Sequence, residues 1–344
     1  MIIPPPPREA RGLLGFCEQA CAVVAAAERV LLASHVFPEA DSVGSEAALA
    51  RHLTRLGKQV RVRNPSPVQE IYRFLAELSG LPGAAWDDGP GELPAHDLVI
   101  VVDVSDWDYM GPLGPRVRAS SAPKILFDHH QSRAPEGALA LIDTEASSTG
   151  EVLYRYFLAT GAPIDPPMAG ALYASLLFDT GSFRLRNTRD ETLLIAAELI
   201  RLGASHTETV ARLFENESFS RVELLTAALT RVVSEVEGRL AWTFLPGDMF
   251  RRTGTTAADA DGVIDHMMSI RGVELAVLFR ELPGCGVKVT FRSKGGCDVG
   301  RLARRLGGGG RPTAAGVTLE KPLEASIGEV LPHAREQARG GAPA

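Results

Sequence analysis

The sequence is short of three things: cysteine, uninterrupted hydrophobic runs and excess positive charge. Its cysteines form no Cys-x-x-Cys pair, which argues against a zinc knuckle and against a disulfide framework. Buried small side chains are the favoured interpretation for all of them. The four are Cys17, Cys21, Cys285 and Cys297.

The longest apolar stretch, residues 20–33, is broken by Glu28 and Arg29 and is too short to cross a bilayer. No basic segment followed by an apolar run and a cleavage site opens the chain, so we expect a cytoplasmic protein without a membrane partner. The net charge of −6 argues against a protein that holds long duplex nucleic acid by many phosphate contacts. Short anionic substrates, held by a few local cations, remain open.

Strand-like and helical patterns alternate along the first half of the chain, which predicts βαβ units and a mostly parallel sheet flanked by helices. The patterns in the second half predict a smaller α/β domain. With 344 residues the chain is long enough for both. The predicted division is a metal-binding catalytic domain over residues 1–188, a linker helix over 189–220, a substrate-binding domain over 221–330 and a flexible tail over 331–344.

Acidic and histidine side chains stand at the ends of several apolar runs, and Asp128-His129-His130, after residues 124–127, is the most informative example. The carboxyl ends of parallel strands share one edge of a sheet, so residues placed there converge from distant positions. The other members follow residues 30–34, 98–102 and 174–178. They are His35, Glu39 and Asp41, then Asp103, then Asp179.

Carboxylates and imidazoles without a thiolate suit Mn²⁺, Mg²⁺ or Co²⁺ better than a structural zinc ion. The number of these groups predicts two divalent cations. Two such ions about 3.5–4 Å apart can activate a water and clamp a phosphoryl group during in-line attack. The predicted chemistry is therefore phosphoester hydrolysis.

Two glycine-containing segments suggest contacts with anions. Gly44 and Ser45 come just after the His35 loop and resemble an anion-binding turn at a helix start. The run Gly307 to Gly310 precedes Arg311, and glycines at that density let backbone N–H groups approach a phosphate closely.

The array of motifs resembles the DHH superfamily of phosphoesterases and, within it, the bifunctional oligoribonuclease and PAP phosphatase group, the nanoRNases. The resemblance covers nearly the whole chain, with a DHH domain first and a DHHA1 domain second. It rests on the His35 loop, Asp103, Asp128-His129-His130, Ser147-Ser148-Thr149-Gly150-Glu151, Asp179 to Arg184, Phe291 to Lys294 and Gly307 to Gly310.

The resemblance implies roles for the clustered residues. One metal, usually manganese in this family, would be held by His35, Glu39 and Asp103, and the other by Asp41, Asp103, His129 and Asp179. His130 would face the scissile phosphate instead of binding metal. Asp128, assigned with His130 to the catalytic residues, would orient a histidine.

By the same resemblance, the second domain would face the first across an active-site cleft and would bind the far end of the substrate. The expected contacts are Arg292, Ser293 and Lys294, the loop of Gly308, Gly309 and Gly310, and Arg311. The implied substrates are very short oligoribonucleotides, cleaved to mononucleotides, and 3′-phosphoadenosine 5′-phosphate (pAp), converted to AMP. A homodimer is compatible with the sequence.

Two positions depart from the family pattern, since Glu39 stands where Asp is usual and Arg311 where His is usual. Glutamate keeps the charge but carries one more methylene, and arginine binds phosphate without exchanging a proton. Two alternatives stay open: a phosphodiesterase of cyclic or linear dinucleotides in signalling, and a catalytically idle nucleotide-binding module. A RecJ-type exonuclease of long strands is expected less, because no basic extension follows residue 330.

Overall fold

The computed structural model describes residues 10–340, apart from residues 90, 105, 132–133, 261 and 285. The chain divides into two compact units, one up to Asn216 and one from Glu217. This boundary lies inside the segment predicted as a linker. Cys285 and residues 341–344 fall outside the described residues.

The N-terminal unit contains a sheet of six strands, all parallel. The strands are β1 Arg29–Ala33, β2 Gln59–Asn64, β3 Trp86–Asp88, β4 Leu98–Val102, β5 Lys124–Asp128 and β6 Leu139–Ile142. The helices are α1 Ala10–Ala26, α2 Ala40–Arg55, α3 Arg73–Leu78, α4 Gly114–Ala119, α5 Thr149–Thr160, α6 Pro166–Asp179, α7 Asp190–Arg201 and α8 His206–Phe214, with 3₁₀ turns at Glu70–Tyr72, Gly83–Ala85 and Trp107–Leu113.

Both faces of this sheet are covered, which explains why β4 is an unbroken run of apolar residues. Side chains alternate between the faces along β1: Val30 and Leu32 pack into the large core that includes residues of α1, α2, α5 and α6. Leu31 and Ala33 pack on the other side, against Trp107 and its neighbours. The predicted α/β architecture of this unit is confirmed.

The strand order is β3-β2-β1-β4-β5-β6, so the chain reverses direction across the sheet between β1 and β4. The crevice outside the carboxyl ends of strands at such a switch point is the usual ligand site of open α/β sheets. His35 follows β1, Asp103 follows β4 and Asp128 ends β5. The topology therefore brings three of the predicted clusters to one place.

Gly44 does not form an anion-binding turn, contrary to the prediction from sequence. It lies inside α2, and a Cβ at this position would come within 2.5 Å of the Ala171 carbonyl oxygen of α6. Glycine is needed here because α2 and α6 approach each other closely. That close approach brings Asp41 of α2 towards Ser175 of α6.

Three other predictions differ from the structure. Asp179 is the last residue of helix α6 and does not end a strand. The predicted linker contains α7 and α8, whose apolar residues Ile195, Leu199 and Leu213 belong to the N-terminal core. Cys21 is exposed, although Cys17 and Cys297 are buried as expected.

The C-terminal unit contains a mixed six-stranded sheet of order β11-β12-β10-β9-β8-β7. Only the β8–β9 pair is parallel. The strands are β7 Val233–Glu235, β8 Leu240–Leu245, β9 Leu275–Leu282, β10 Gly286–Ser293, β11 Gly309–Gly310 and β12 Ala314–Leu319. The helices are α9 Phe219–Leu229, α10 Gly247–Thr253, α11 Val263–Met268, α12 Val299–Arg305 and α13 Leu323–Gly340, with a 3₁₀ turn at Ala257–Ala260.

Residues 331–340, predicted to be part of a flexible tail, are instead the second half of α13. Leu331, Ala334 and Ala338 are buried in the core of the C-terminal unit, so the apolar face of this helix holds it in place. Among the described residues, no helix has both the length and the hydropathy needed to cross a bilayer.

Candidate metal centre

The His35 side chain is fixed by its own loop. Its Nδ1 lies 2.7 Å from the Val36 carbonyl oxygen, which can only accept, so Nδ1 carries the hydrogen. Nε2 then points at Asp103 Oδ2, 3.2 Å away. In the neutral ring this nitrogen has a lone pair, and a lone pair facing a carboxylate needs a proton or a cation between them.

Asp103 occupies the centre of the cluster and has a left-handed backbone, with φ of +59°. Its amide donates to the Phe127 carbonyl oxygen of β5 at 2.9 Å, which joins the ends of the two strands. One carboxylate oxygen faces His35. The other lies 3.8 Å from His129 Nε2 and 3.5 Å from His130 Nδ1. One aspartate thus faces histidines on two sides.

His129 repeats the arrangement of His35. Its Nδ1 is 3.4 Å from the Ala146 carbonyl oxygen, and its buried Nε2 has no hydrogen-bond partner. That nitrogen is surrounded by carboxylate oxygens, at 3.3 Å from Asp179, 3.7 Å from Asp41 and 3.8 Å from Asp103. Histidines that ligate metals commonly donate their other ring nitrogen to a backbone carbonyl in this way. The donor set therefore fits a divalent cation.

Asp41 accepts hydrogen bonds from the start of helix α5 and from helix α6. Its oxygens accept from the backbone N–H groups of Thr149 at 2.9 Å and Gly150 at 3.1 Å, and from the Ser175 hydroxyl. Orphan N–H groups and the helix dipole both favour a negative charge at this position. The Ser147-Ser148-Thr149-Gly150-Glu151 motif explains the geometry, since Ser148 caps α5.

The protonation of the cluster shows how crowded its charges are without a cation. Burial, and then repulsion from Asp103, raise the pKa of Asp41 to about 6. Burial, and then repulsion from Asp41 and Asp103, raise the pKa of Asp179 well above its usual value. Burial works against the charge of Asp103 as well, but its bond to His35 holds the pKa of this carboxyl low. Burial disfavours the protonated form of His35, but its bond to Asp103 and the charge of that carboxylate raise the pKa of His35 to about 9.

Glu39 stands just before α2 and groups with His35 and Asp103, their ligand atoms lying within 4.8 Å of one another. Asp41, His129 and Asp179 form a second such group. The first group has the same members as the first set implied by the resemblance, and the second group has those of the second set except Asp103, which groups with His129 and His130 instead.

His130 also lies within reach of Asp103 and could be counted as a ligand on distance alone. Its Nδ1, however, is much closer to Asp128 Oδ1, at 2.7 Å. That same oxygen accepts from the backbone N–H groups of His129 and His130. Asp128 therefore fixes the His130 ring and occupies its Nδ1, which favours an orienting role for Asp128 and a role outside the ligand set for His130.

The predicted substrate-binding residues lie in the C-terminal unit, at the end of β10 and around β11. Arg292 is half-buried, and Lys294 and Arg311 are exposed. The Ser293 hydroxyl accepts from the amides of Gly295 and Cys297, so it is used within its own loop.

The glycine run is part of a hairpin and not a flexible loop. A Cβ on Gly308 would lie 2.2 Å from the Gly316 carbonyl oxygen, and Gly310, with φ of +136°, would clash with Ala315. The amides of Gly308 and Arg311 bond within the unit. Gly309 and Gly310 form β11, an edge strand of the sheet, and both are exposed.

Sequence reasoning missed the hydroxyl and amide groups around the cluster. Ser42 donates to Asp103 at 2.7 Å and Thr149 donates to it at 3.3 Å, while Asn187 donates to the Asp179 carbonyl oxygen at 3.0 Å. A buried serine beside Asp41 in the first turn of a helix was the available signal for Ser42. No comparable signal identifies Ser175 or Asn187, because their roles depend on which helices meet.

The fold and the donor set first define a class, the α/β proteins that bind metal ions at the switch point of a parallel sheet. Within that class the chain belongs to the DHH family of phosphoesterases. The sequence model of the DHH family N-terminal domain matches residues 29–176, and that of the DHHA1 domain matches residues 237–340.

Among relatives, the bifunctional oligoribonuclease and PAP phosphatase NrnA of Bacillus subtilis is 30% identical over 295 residues, covering 85% of this chain and 90% of NrnA. A crystal structure of an exopolyphosphatase-related protein from Bacteroides fragilis aligns with a TM-score of 0.86 at 22% identity, over 94% of this chain and 96% of that one. RecJ of Thermus thermophilus in complex with Mn²⁺ aligns at 0.56 with 15% identity, over 95% of this chain and 55% of RecJ. The two structures show the same fold.

Proposed function

We propose that this chain is a two-metal phosphoesterase that cleaves very short oligoribonucleotides to mononucleotides and converts pAp to AMP. The observation that carries the proposal is the pair of histidine Nε2 atoms, of His35 and His129, facing the two oxygens of Asp103. Glu39 beside His35, and Asp41 and Asp179 beside His129, support two adjacent cation sites. The likeness to NrnA over most of both chains supports the substrate class.

When bound, two divalent cations supply Lewis acidity and lower the pKa of a water, which is the chemistry that phosphoester hydrolysis needs. Manganese is our first choice, because the donors are carboxylate and imidazole and because a RecJ of the same fold is in complex with Mn²⁺. Mg²⁺ and Co²⁺ are the alternatives. His35, Glu39, Asp41, Asp103, His129 and Asp179 would hold the ions.

The residues of the chain contribute orientation and charge. Asp128 holds the His130 ring through Nδ1, and a His130 ring that carries hydrogen on both nitrogens would donate a hydrogen bond from Nε2 to a phosphoryl oxygen of the substrate. In the C-terminal unit, Arg311 would bind a terminal phosphate through its guanidinium fork, with Arg292, Lys294 and the edge strand Gly309–Gly310 beside it.

The test is Mn²⁺-dependent release of AMP from 5′-labelled pApA, run beside pAp, cyclic di-AMP and a long RNA. Release from pApA and pAp, with little action on the long RNA and none after chelation, is the expected result. Preference for cyclic di-AMP would favour the signalling phosphodiesterase. Tight Mn²⁺ and dinucleotide binding without release of product would favour the idle module and overturn the proposal.

A cytoplasmic location, and the absence of long duplexes and membranes among the partners, stay predictions. A homodimer does too, and sedimentation of the purified chain would decide it.

A further inference from the structure

The shared carboxylate of Asp103 accepts one hydroxyl hydrogen bond on each of its oxygens. Ser42 donates to Oδ2 at 2.7 Å, and Thr149 donates to Oδ1 at 3.3 Å. Both hydroxyl residues are completely buried. They come from the first turns of α2 and α5, which approach Asp103 from separate parts of the chain.

Each hydroxyl lies on the side of one donor set. The Ser42 oxygen is also 2.8 Å from His35 Nε2, so it forms a triangle with the two atoms that would meet the first ion. Thr149 bonds the oxygen that faces His129, and its backbone amide bonds Asp41, another member of the second set. The two hydroxyls are therefore not equivalent.

A carboxylate oxygen has two lone pairs, so one can accept a hydroxyl while the other remains for a cation. A donor on each oxygen also opposes rotation of the carboxylate about its Cβ–Cγ bond. Partners of this kind around metal ligands typically change metal affinity by about 10- to 100-fold when removed.

We infer that Ser42 and Thr149 are a pair of positioning residues that hold Asp103 between two cations, with Ser42 setting the affinity of the first site and Thr149 that of the second. This inference rests on the proposed two-metal centre. It goes beyond that centre by giving each site its own hydroxyl, and it requires that the two substitutions have separable effects.

The test counts bound Mn²⁺ by the loss of the free-ion EPR signal during titration of the metal-free protein. Ser42→Ala and Thr149→Val, which keeps the shape of threonine, are measured in two backgrounds. His35→Ala disables the first site and Asp179→Asn the second. In the His35→Ala background we expect Thr149→Val to weaken Mn²⁺ binding about tenfold or more, with little effect of Ser42→Ala. In the Asp179→Asn background we expect Ser42→Ala to weaken Mn²⁺ binding and Thr149→Val to have little effect.

Thr149→Ser, which keeps the hydroxyl, should restore the affinity lost in Thr149→Val. Ser326→Ala removes a buried hydroxyl in the other unit and is the matched control, with no expected effect on Mn²⁺. The inference would be overturned, and the two-metal centre left standing, if Ser42→Ala and Thr149→Val weakened Mn²⁺ binding equally at both sites. The same holds if neither substitution changed Mn²⁺ binding in folded protein. An unsubstituted chain that binds no Mn²⁺ would instead overturn the two-metal centre. If Ser42→Ala does not fold, the comparison of Thr149→Val with Thr149→Ser still tests the inference.

Discussion

In the N-terminal unit the carboxylates of Asp41 and Asp103 are almost fully buried, whereas Arg292 of the C-terminal unit is half-buried and Lys294 and Arg311 are exposed. The buried carboxylates are held by backbone amides and hydroxyls from several elements. The cations belong to one strand end and one hairpin.

The difference shows two ways of meeting a charged ligand. Burying carboxylates together is unfavourable unless a cation or protons neutralise them, so the first unit is suited to ions and to chemistry. Cations that remain in contact with water, such as Lys294 and Arg311, cost little to maintain and can bind an anionic group directly. We therefore expect substitutions in the first unit to abolish turnover and substitutions in the second to change substrate affinity.

The largest expected effect is that of Asp103→Asn, which removes the charge shared by both sites. Turnover of pApA should fall by about 10³-fold or more, because cation stabilisation of the transition state is worth several kcal/mol. Asparagine tolerates a positive φ, so the fold should be kept. Asp97→Asn, which alters a carboxylate that accepts from the amides of Glu28 and Arg29, is the control and should keep turnover. Substantial activity in Asp103→Asn would contradict a bridging role.

The next largest is Gly308→Ala, since the added Cβ would lie 2.2 Å from the Gly316 carbonyl oxygen. The hairpin must shift, at a cost of about 1–3 kcal/mol in the free energy of unfolding. We expect a higher KM for pApA with less change in kcat. Gly309→Ala is the matched control, because a Cβ there meets no atom within 4 Å. Equal destabilisation by both, measured in urea, would show that the hairpin is not closely packed.

An effect of similar size, but without a shift of the hairpin, is expected for Arg311→Ala. A hydrogen bond to a charged group is worth about 1.5–3 kcal/mol, so KM for pApA should rise about tenfold or more at nearly constant kcat. Arg311→His, the residue usual in the family, should recover part of the affinity. Arg305→Ala, an exposed cation paired with Glu336, should leave KM unchanged. A fall in kcat without a change in KM would place Arg311 in the chemistry instead of in binding.

The smallest effect concerns pH and the metal-free protein. The pKa of His35 is raised from 6.5 to about 9 and that of Asp41 from 3.8 to about 6. Both groups bind protons more tightly in the folded state. The contribution of His35 to stability is therefore complete below pH 6.5 and is lost as pH rises through about 9, and that of Asp41 is complete below pH 3.8 and is lost as pH rises through about 6. The pKa of Asp103 is lowered, so its contribution to stability is present above pH 3.8 and does not change while His35 and Asp41 lose their protons.

The melting temperature of the metal-free protein should therefore fall between about pH 4 and 9. Saturating Mn²⁺ should reduce that fall, because the ions replace the protons. His35→Ala should remove the part of the fall above pH 6.5. A melting temperature that rises through this range without metal would show that the cluster is not protonated as described.

Much of the centre follows from elementary geometry and could be predicted. His35, Asp103 and His129 stand at or just beyond the carboxyl ends of β1, β4 and β5, and parallel strands bring those ends together. The roles of Gly44, Ser175 and Asn187 could not be predicted, because they depend on which helix faces which. Asp179 was placed in the right cluster for the wrong reason, since it ends a helix.

In the C-terminal unit the α/β class was predicted, but the contacts of individual side chains were not. Binding of substrate by Ser293 stays a prediction, and the sequence did not indicate that its hydroxyl accepts from two amides of its own loop. The glycine run was expected to be a donor-rich loop, and two of its glycines are required by close backbone approach. Local motifs identify such residues, whereas tertiary contacts decide what remains available to a ligand.

The order of the candidate ligands along the chain has a consequence for biosynthesis. Five of the six precede residue 130, but Asp179 and the Ser175 hydroxyl on Asp41 belong to α6, which comes later. A growing chain that has released only β1 to β5 from the ribosome therefore carries most of the donors and still lacks the second site. If the two-metal proposal holds, complete metal loading has to wait until α6 has emerged and packed on α2. Loading would then report the packing of α6, which precedes the emergence of α7 and α8.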